Sequence, residues 1–276
     1  TPLITSLLQI ALEYPLKLLI RLTGNTPMSN LPQRFSLESK QVLVTGATGY
    51  LGRTMARGLA ELGANVLLNG RNSERVEACV ADLCGIGLSA TPAVFDINDE
   101  DAVHRWFSQY GDAPLHGLVN NAYAGSAGSI ETAAEEDYRN SYEVTLVSAH
   151  RLLRYALPGL RAAVCELGNA SVVNIGSMYG LVSPDQRVYE NKQVVNPPFY
   201  GAAKAALLQW TRYAACEFGK EGIRVNAISP GPFPPEDVQV SNPEFVSILA
   251  QKVPMGRVGR AEELQGPLSF LLSDAS

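Results

Sequence analysis

Residues 41–63, QVLVTGATGYLGRTMARGLAELG, pass from a short β-rich run into a glycine-punctuated turn and then into a helical pattern. Gly46, Gly49 and Gly52 fall in that turn. There the missing side chains let backbone N–H groups approach a pyrophosphate, and the dipole of the following helix favours its charge. Position supplies the specificity, because glycines that follow a first strand and open a first helix have the context of a dinucleotide-binding fingerprint. Thr48, Tyr50 and Leu51 complete the loop and are candidate contacts to the same group. The alternative reading is a tight strand-to-helix turn without a ligand.

Outward from this unit the pattern repeats. Candidate strands are QVLVT (41–45), ANVLLN (64–69), TPAVF (91–95), HGLVN (116–120), ASVVNI (170–175) and IRVNAI (223–228), with helical patterns between them. Short Val/Leu/Ile runs separated by helices are the sequence form of a parallel sheet covered on both faces. The expected fold is a single doubly wound, Rossmann-type α/β domain over residues 35–276, with residues 1–34 as an apolar appendage.

The chain has 276 residues, a net charge of -5 and four cysteines. That length suffices for a sizeable core. The charge, with no basic run, argues against a nucleic-acid surface. Cys79, Cys84, Cys165 and Cys216 show no metal-site spacing and read as reduced core thiols of a cytoplasmic protein. Residues 1–22, TPLITSLLQIALEYPLKLLIRL, are apolar at near-helical spacing but broken by Glu13, Pro15 and Lys17. Packing on the body, a partner subunit or a membrane surface is expected in preference to membrane insertion. No pattern of small residues marks a signal-peptide cleavage site.

Two further stretches refine the cofactor. The second strand ends in NGRN, where an NAD site usually places an acid against the ribose 2′-hydroxyl; Arg71 instead suits a 2′-phosphate. NADP(H) is therefore preferred, with NAD(H) as the alternative. After the third strand, FDIND places Asp96 and Ile97 where a carboxylate accepts from the adenine amine, or where Asp96 caps the next helix.

The stretch NPPFYGAAKAA, residues 196–206, sets Tyr200 and Lys204 one helical turn apart behind two prolines that suit a helix start. Side chains lean toward a helix N-terminus, so the Lys204 stem points back to the level of Tyr200. A nearby cation favours phenolate and lowers a pKa that starts at about 10.

Together TGATGYLG (45–52), NNAY (120–123), VNIGS (173–177), YGAAK (200–204), GIRVNAISPGP (222–232) and PMGRVGRAEEL (254–264) resemble the short-chain dehydrogenase/reductase family, from about Phe35 to the end. The resemblance implies hydride transfer between NAD(P)H and a carbonyl or alcohol. It implies Tyr200 as general acid/base, Lys204 lowering its pKa and binding the nicotinamide ribose, and Ser177 bonding the reacting oxygen. It also implies Asn120 and Ala122 beside the adenine ribose, Pro230 and Gly231 beside the nicotinamide, and a homodimer or homotetramer through the helices around 135–157 and 199–219.

Three departures stand out. Thr145 occupies the place where the family commonly has an asparagine supporting a proton-relay water. Ser177 and Tyr200 stand 23 positions apart (200 − 177), a longer interval than the short-type branch usually shows, while only 76 residues (276 − 200) follow Tyr200, too few for the separate substrate domain of the extended branch. The expectation is a short-type reductase with a polar insert, residues 178–198, whose Asp185, Gln186, Arg187, Glu190, Asn191 and Lys192 meet a sugar-like or otherwise polyhydroxylated small-molecule substrate, or form a solvated loop. The chain stops at LLSDAS, before the segment that forms the last strand of the family, and reads as a fragment or as the product of a truncated gene model. Residues 232–255 are expected to form a mobile lid, with Phe233, Val246 and Leu249 facing substrate or simply packed. The competing functions are a nucleotide-sugar epimerase or dehydratase that retains its cofactor, and a non-catalytic cofactor-sensing protein.

Overall fold

The computed structural model describes residues 30–189 and 195–276. Contacts divide the chain into one unit, Thr1–Arg34, and another, Phe35–Ser276. The described part of the first is Asn30 and a helical turn, Leu31–Arg34. The apolar stretch 1–22, with its expected packing or membrane contact, and Glu190, Asn191 and Lys192 lie outside the described residues.

In the larger unit β1 (Gln41–Val44), α1 (Tyr50–Glu61), β2 (Asn65–Gly70), α2 (Ser73–Gly85), β3 (Ala90–Val94), α3 (Glu100–Tyr110) and β4 (Gly117–Asn120) alternate. They are followed by α4 (Glu135–Tyr142), α5 (Ser148–Leu167), β5 (Ala170–Ile175), α6 (Pro198–Phe218) and β6 (Ile223–Ile228). Three further α-helices follow, α7 (Glu236–Ser241), α8 (Pro243–Gln251) and α9 (Gln265–Leu272), besides short 3-10 turns. The strands form one parallel sheet in the order β3-β2-β1-β4-β5-β6. All six expected strands are present, their ends shifted by at most one residue.

Alternate strand residues feed two cores. Val42, Val44, Val66, Leu68, Val119 and Val173 pack with Met55 and Leu59 of α1 and with Leu268 and Leu272 of α9. Leu43, Leu67, Leu118 and Val172 pack on the other face with Val103 and Phe107 of α3 and Leu152 and Leu160 of α5. Because both faces are covered, the strands read as apolar runs and not as alternating ones. Each such side chain contributes about 1.5–3 kcal/mol through burial. The expectation of core thiols is met by Cys79 and corrected for the others: Cys84, Cys165 and Cys216 are exposed on the outer faces of helices.

Strand order reverses between β1 and β4, and a crevice forms beyond their carboxyl ends, as such sheets require. Between α4 and α5 the helix loosens into a π-helical turn, Glu143–Val147, which holds Thr145 with its hydroxyl buried and without a hydrogen-bond partner among the described residues. Beneath the crevice, Asn120 Nδ2 donates to Asn174 Oδ1 at 2.8 Å, and Asn174 Nδ2 donates to Thr211 Oγ1 at 2.8 Å. This buried amide chain ties β4 and β5 to α6. Replacing Asn174 with Ala leaves Asn120 Nδ2 without its acceptor, while Thr211 keeps its bond to the Leu207 carbonyl, so Asn174→Ala is expected to lower stability by about 1–3 kcal/mol, read as a fall in the urea midpoint without a change in slope.

Candidate functional site

The loop after β1 is held from both sides. Thr45 Oγ1 accepts the backbone N–H groups of Asn121 and Ala122 at 3.0 and 3.1 Å, and Asn121 Nδ2 donates to the Thr45 and Gly46 carbonyls at 2.9 and 3.3 Å. Gly46 has φ +62, and a Cβ there would lie 2.8 Å from Ala122 Cα. A Cβ on Gly52 would overlap the Gly46 carbonyl oxygen and come 2.7 Å from Asn121 Nδ2. Gly49 caps α1 without any side-chain hydrogen bond to its first turn. The N–H groups that open a helix have no intrahelical partner, so this end of the cleft offers unclaimed donors on the positive end of a dipole.

The cleft has a volume of about 910 Å³. Gly46, Thr48, Gly49, Tyr50, Leu51, Gly52, Arg71, Asp96, Ile97, Ala122 and Tyr200, all singled out in the sequence, line it. Asn69 at the end of β2 is buried, its amide donating to the Ala93 and Phe95 carbonyls at 2.9 and 3.1 Å, a task no carboxylate can perform. Arg71 is exposed on the cleft wall and is joined there by Arg75. Among the described residues neither guanidinium enters an ion pair. Asp96 does not cap α3; it accepts the Asn98 N–H at 2.9 Å, and Asp99 caps the helix through the Ala102 N–H at 3.0 Å.

At the far end, Ser177 follows β5 and its Oγ accepts the Tyr179 N–H at 3.1 Å. Lys204 is buried, with Nζ donating to the Ile175 carbonyl at 2.6 Å and sitting 5.7 Å from the ring centroids of both Tyr200 and Tyr123. The Tyr123 ring meets that of Tyr200 edge-on at 4.8 Å. The expectation that Lys204 lowers the Tyr200 pKa is not met: burial raises it, and the hydrogen bond from Ser177 only partly opposes this. Burial likewise depresses Lys204 to about 8 and pushes Tyr123 up to about 12. Desolvation disfavours whichever form is charged, which raises the phenol and lowers the ammonium.

Asn120, Ser177 and Lys204 are buried, whereas on the loop after β6 Pro230 is half-buried and Gly231 exposed. Asn120 anchors the amide chain, and Pro230 accepts the Met178 N–H at 2.9 Å, setting the loop after β6 against the turn after Ser177. In the insert, Asp185 and Arg187 pair at 2.8 Å, and Lys252 reaches Asp185 at 3.0 Å, so these charges meet one another and do not line the cleft. In the lid, Phe233 lines the cleft, Val246 and Leu249 do not, and Phe245 does. Sequence reading passed over Asn121, Arg75, Tyr123, Tyr189, Asn196 and Phe245; the doubled Asn at 120–121 and the Arg71/Arg75 spacing at a helix head were the available signals.

These residues fit a dinucleotide carrying an additional phosphate: a side-chain-free cradle at a helix start, two unpaired guanidiniums on one wall, and a buried Lys/Tyr pair at the other end. The profile of the family described as enoyl-(acyl carrier protein) reductase matches residues 46–276. Gluconate 5-dehydrogenase of Gluconobacter oxydans is 32% identical over 253 residues, covering 89% of this chain and 92% of that protein. The crystal structure of a gluconate 5-dehydrogenase from Burkholderia cenocepacia in complex with NADP and tartrate superposes with a TM-score of 0.78 at 27% identity, over 89% of this chain and 92% of that one. The L-sorbose reductase of Gluconobacter frateurii, complexed with NADPH and L-sorbose, does so with a TM-score of 0.76 at 26% identity, over 87% and 92%. Sheet order, glycine loop and sequence likeness agree, and the chain belongs to the short-chain dehydrogenase/reductase family, oxidoreductases that act on CH–OH groups.

Proposed function

We propose that the chain is an NADP(H)-dependent oxidoreductase that interconverts a carbonyl and a secondary alcohol. The observation that carries the proposal is the placement of Tyr200, with Lys204 Nζ 5.7 Å from its ring, in the same cleft whose opposite end holds the glycine loop and the two arginines. In this reading the N–H groups of α1 hold the pyrophosphate, Arg71 and Arg75 the 2′-phosphate, and Asp96 and Ile97 the adenine. Asn120 and Ala122 support the adenine ribose, Lys204 and Tyr200 the nicotinamide ribose, and Pro230 and Gly231 the nicotinamide. When bound, the cofactor supplies or accepts the hydride.

The chain's own part is the proton. Reducing a carbonyl builds negative charge on its oxygen, which Ser177 stabilises as a donor while Tyr200 gives up its proton. A Tyr200 pKa raised by burial keeps the phenol protonated at neutral pH, the state that reduction needs. Thr145 has a hydroxyl where an amide is the rule, so the reading assigns it no relay. The names of the relatives support a polyhydroxylated substrate, and of the insert Asp185 and Arg187 are engaged with each other and with Lys252. A groove of about 400 Å³ along Tyr138, Tyr142, Val147 and Phe199 supports a homodimer or homotetramer, and four free cysteines support a cytoplasmic location.

Tyr200→Phe is expected to lower kcat/KM for carbonyl reduction by about 10²–10⁴-fold with little change in NADPH affinity, the magnitude of a lost general acid. Wild-type activity with Phe at this position contradicts the assignment. A second outcome follows from Lys204. Its charge is complete below about pH 8 and lost above it, so NADPH affinity is expected to weaken as pH rises through that value. In Lys204→Arg, whose guanidinium does not titrate in this range, that limb is expected to vanish from the pH profile.

A further inference from the structure

The stretch PMGRVGRAEEL, residues 254–264, follows the lid and has no part in the chemistry above. Its glycine meets Phe233. A Cβ at Gly259 would overlap Cζ of that residue and stand 2.5 and 2.6 Å from Cε1 and Cε2, an approach to three ring atoms at once that sets Gly259 against the face of the ring. Carbon atoms in contact stay about 3.5–4.0 Å apart, so a methyl group there requires a displacement of about 1 Å. Gly259 is not among the glycines with positive φ, so the ring, and not the backbone, calls for glycine at this position.

The glycine is braced on both sides. Its N–H donates to the carbonyl of Pro232, the residue before Phe233, at 2.9 Å. The Glu263 carboxylate accepts from the Arg257 guanidinium at 2.7 and 2.5 Å and from the Arg260 N–H at 2.9 Å, and so spans Gly259. Ala261 and Leu264 are buried, and Gln265 Nε2 donates to the Thr54 carbonyl of α1 at 2.9 Å. With its flanks held in this way the glycine resists retreat, and a side chain added there moves the ring. Phe233 lines the cleft two positions after Gly231, so a moved ring reshapes the wall.

We infer that residues 257–264 are the seat of the lid and that Gly259 is a positioning residue: through the Phe233 ring it fixes the cleft wall where the nicotinamide half of the cofactor lies. The inference rests on the oxidoreductase reading and adds to it a residue that acts only through another.

The test titrates wild type, Gly259→Ala, Phe233→Ala and the double variant by calorimetry with NADPH and with adenosine 2′,5′-bisphosphate, which carries the 2′-phosphate but no nicotinamide. Gly259→Ala is expected to weaken NADPH about tenfold, as a misplacement of about 1 Å in a binding wall does, and adenosine 2′,5′-bisphosphate less than about twofold. In the Phe233→Ala background the same substitution is expected to change either ligand by less than about twofold, the non-additivity of two groups in contact. Thermal unfolding of the four proteins without ligand reads the same cycle: Gly259→Ala is expected to lower Tm when Phe233 is present and to leave it unchanged when Ala replaces the ring. Wild-type NADPH affinity in Gly259→Ala, an equal loss of both ligands, or an equal cost with and without the ring overturns this inference and leaves the oxidoreductase reading standing. A wild-type protein that does not bind NADPH overturns both.

Discussion

The architecture depends on one close approach, that of α1 to the loop that precedes it. Gly52 lies against the Gly46 carbonyl with no space for a methyl group, and Asn121 from the end of β4 fills the remaining gap with its amide. Any side chain at Gly52 pushes the helix away from the sheet, and the row of unclaimed N–H groups moves with it. Thr45 reinforces the arrangement by accepting both N–H groups that follow β4. The strands that part at the reversal of sheet order are thus tied together at the point where the crevice opens, and the cleft is a consequence of that joint.

The same joint sets the two ends of the cleft. One is polar, with the helix start and two exposed guanidiniums. The other is enclosed, and burial there governs the charges: it keeps the Tyr200 proton on oxygen and draws the Lys204 pKa down. The Ile175 carbonyl holds the Lys204 ammonium at 2.6 Å, so in this state the ammonium is tethered to β5 and does not donate to the phenol. The proposed chemistry needs this contrast, because a donor that keeps its proton until charge develops on a neighbouring oxygen is more useful than one that is already ionised.

Much of this was legible in the sequence, for reasons that can be assigned residue by residue. The strands were legible because two buried faces make continuous apolar runs, and the glycine loop because its spacing is dictated by backbone contact. Tyr200 and Lys204 were legible as a pair because helical spacing is local. Asn121 and Asn174 were not, since their partners come from other strands and a string of letters carries no register. Of Phe233, Val246 and Leu249, read as substrate-facing or simply packed, Phe233 lines the cleft and is joined there by Phe245, because a short helix after a proline has no fixed phase until it packs. The insert read as either substrate-facing or a solvated loop, and at Asp185 and Arg187, two positions apart, the charges satisfy each other. The pKa of Tyr200 went against expectation because the effect of a neighbouring cation depends on burial, which sequence does not report.

The account stands on the cleft as a single dinucleotide site whose second wall recognises a phosphate. The measurement that tests this most directly is a titration of wild type and Arg71→Glu with NADPH and NADH, followed by nicotinamide fluorescence. The account predicts that wild type binds NADPH at least about tenfold tighter than NADH and that Arg71→Glu loses the preference, as expected when a charge-assisted contact to phosphate becomes a repulsion. Equal affinity for the two cofactors in wild type, or an unchanged preference in the variant, contradicts it.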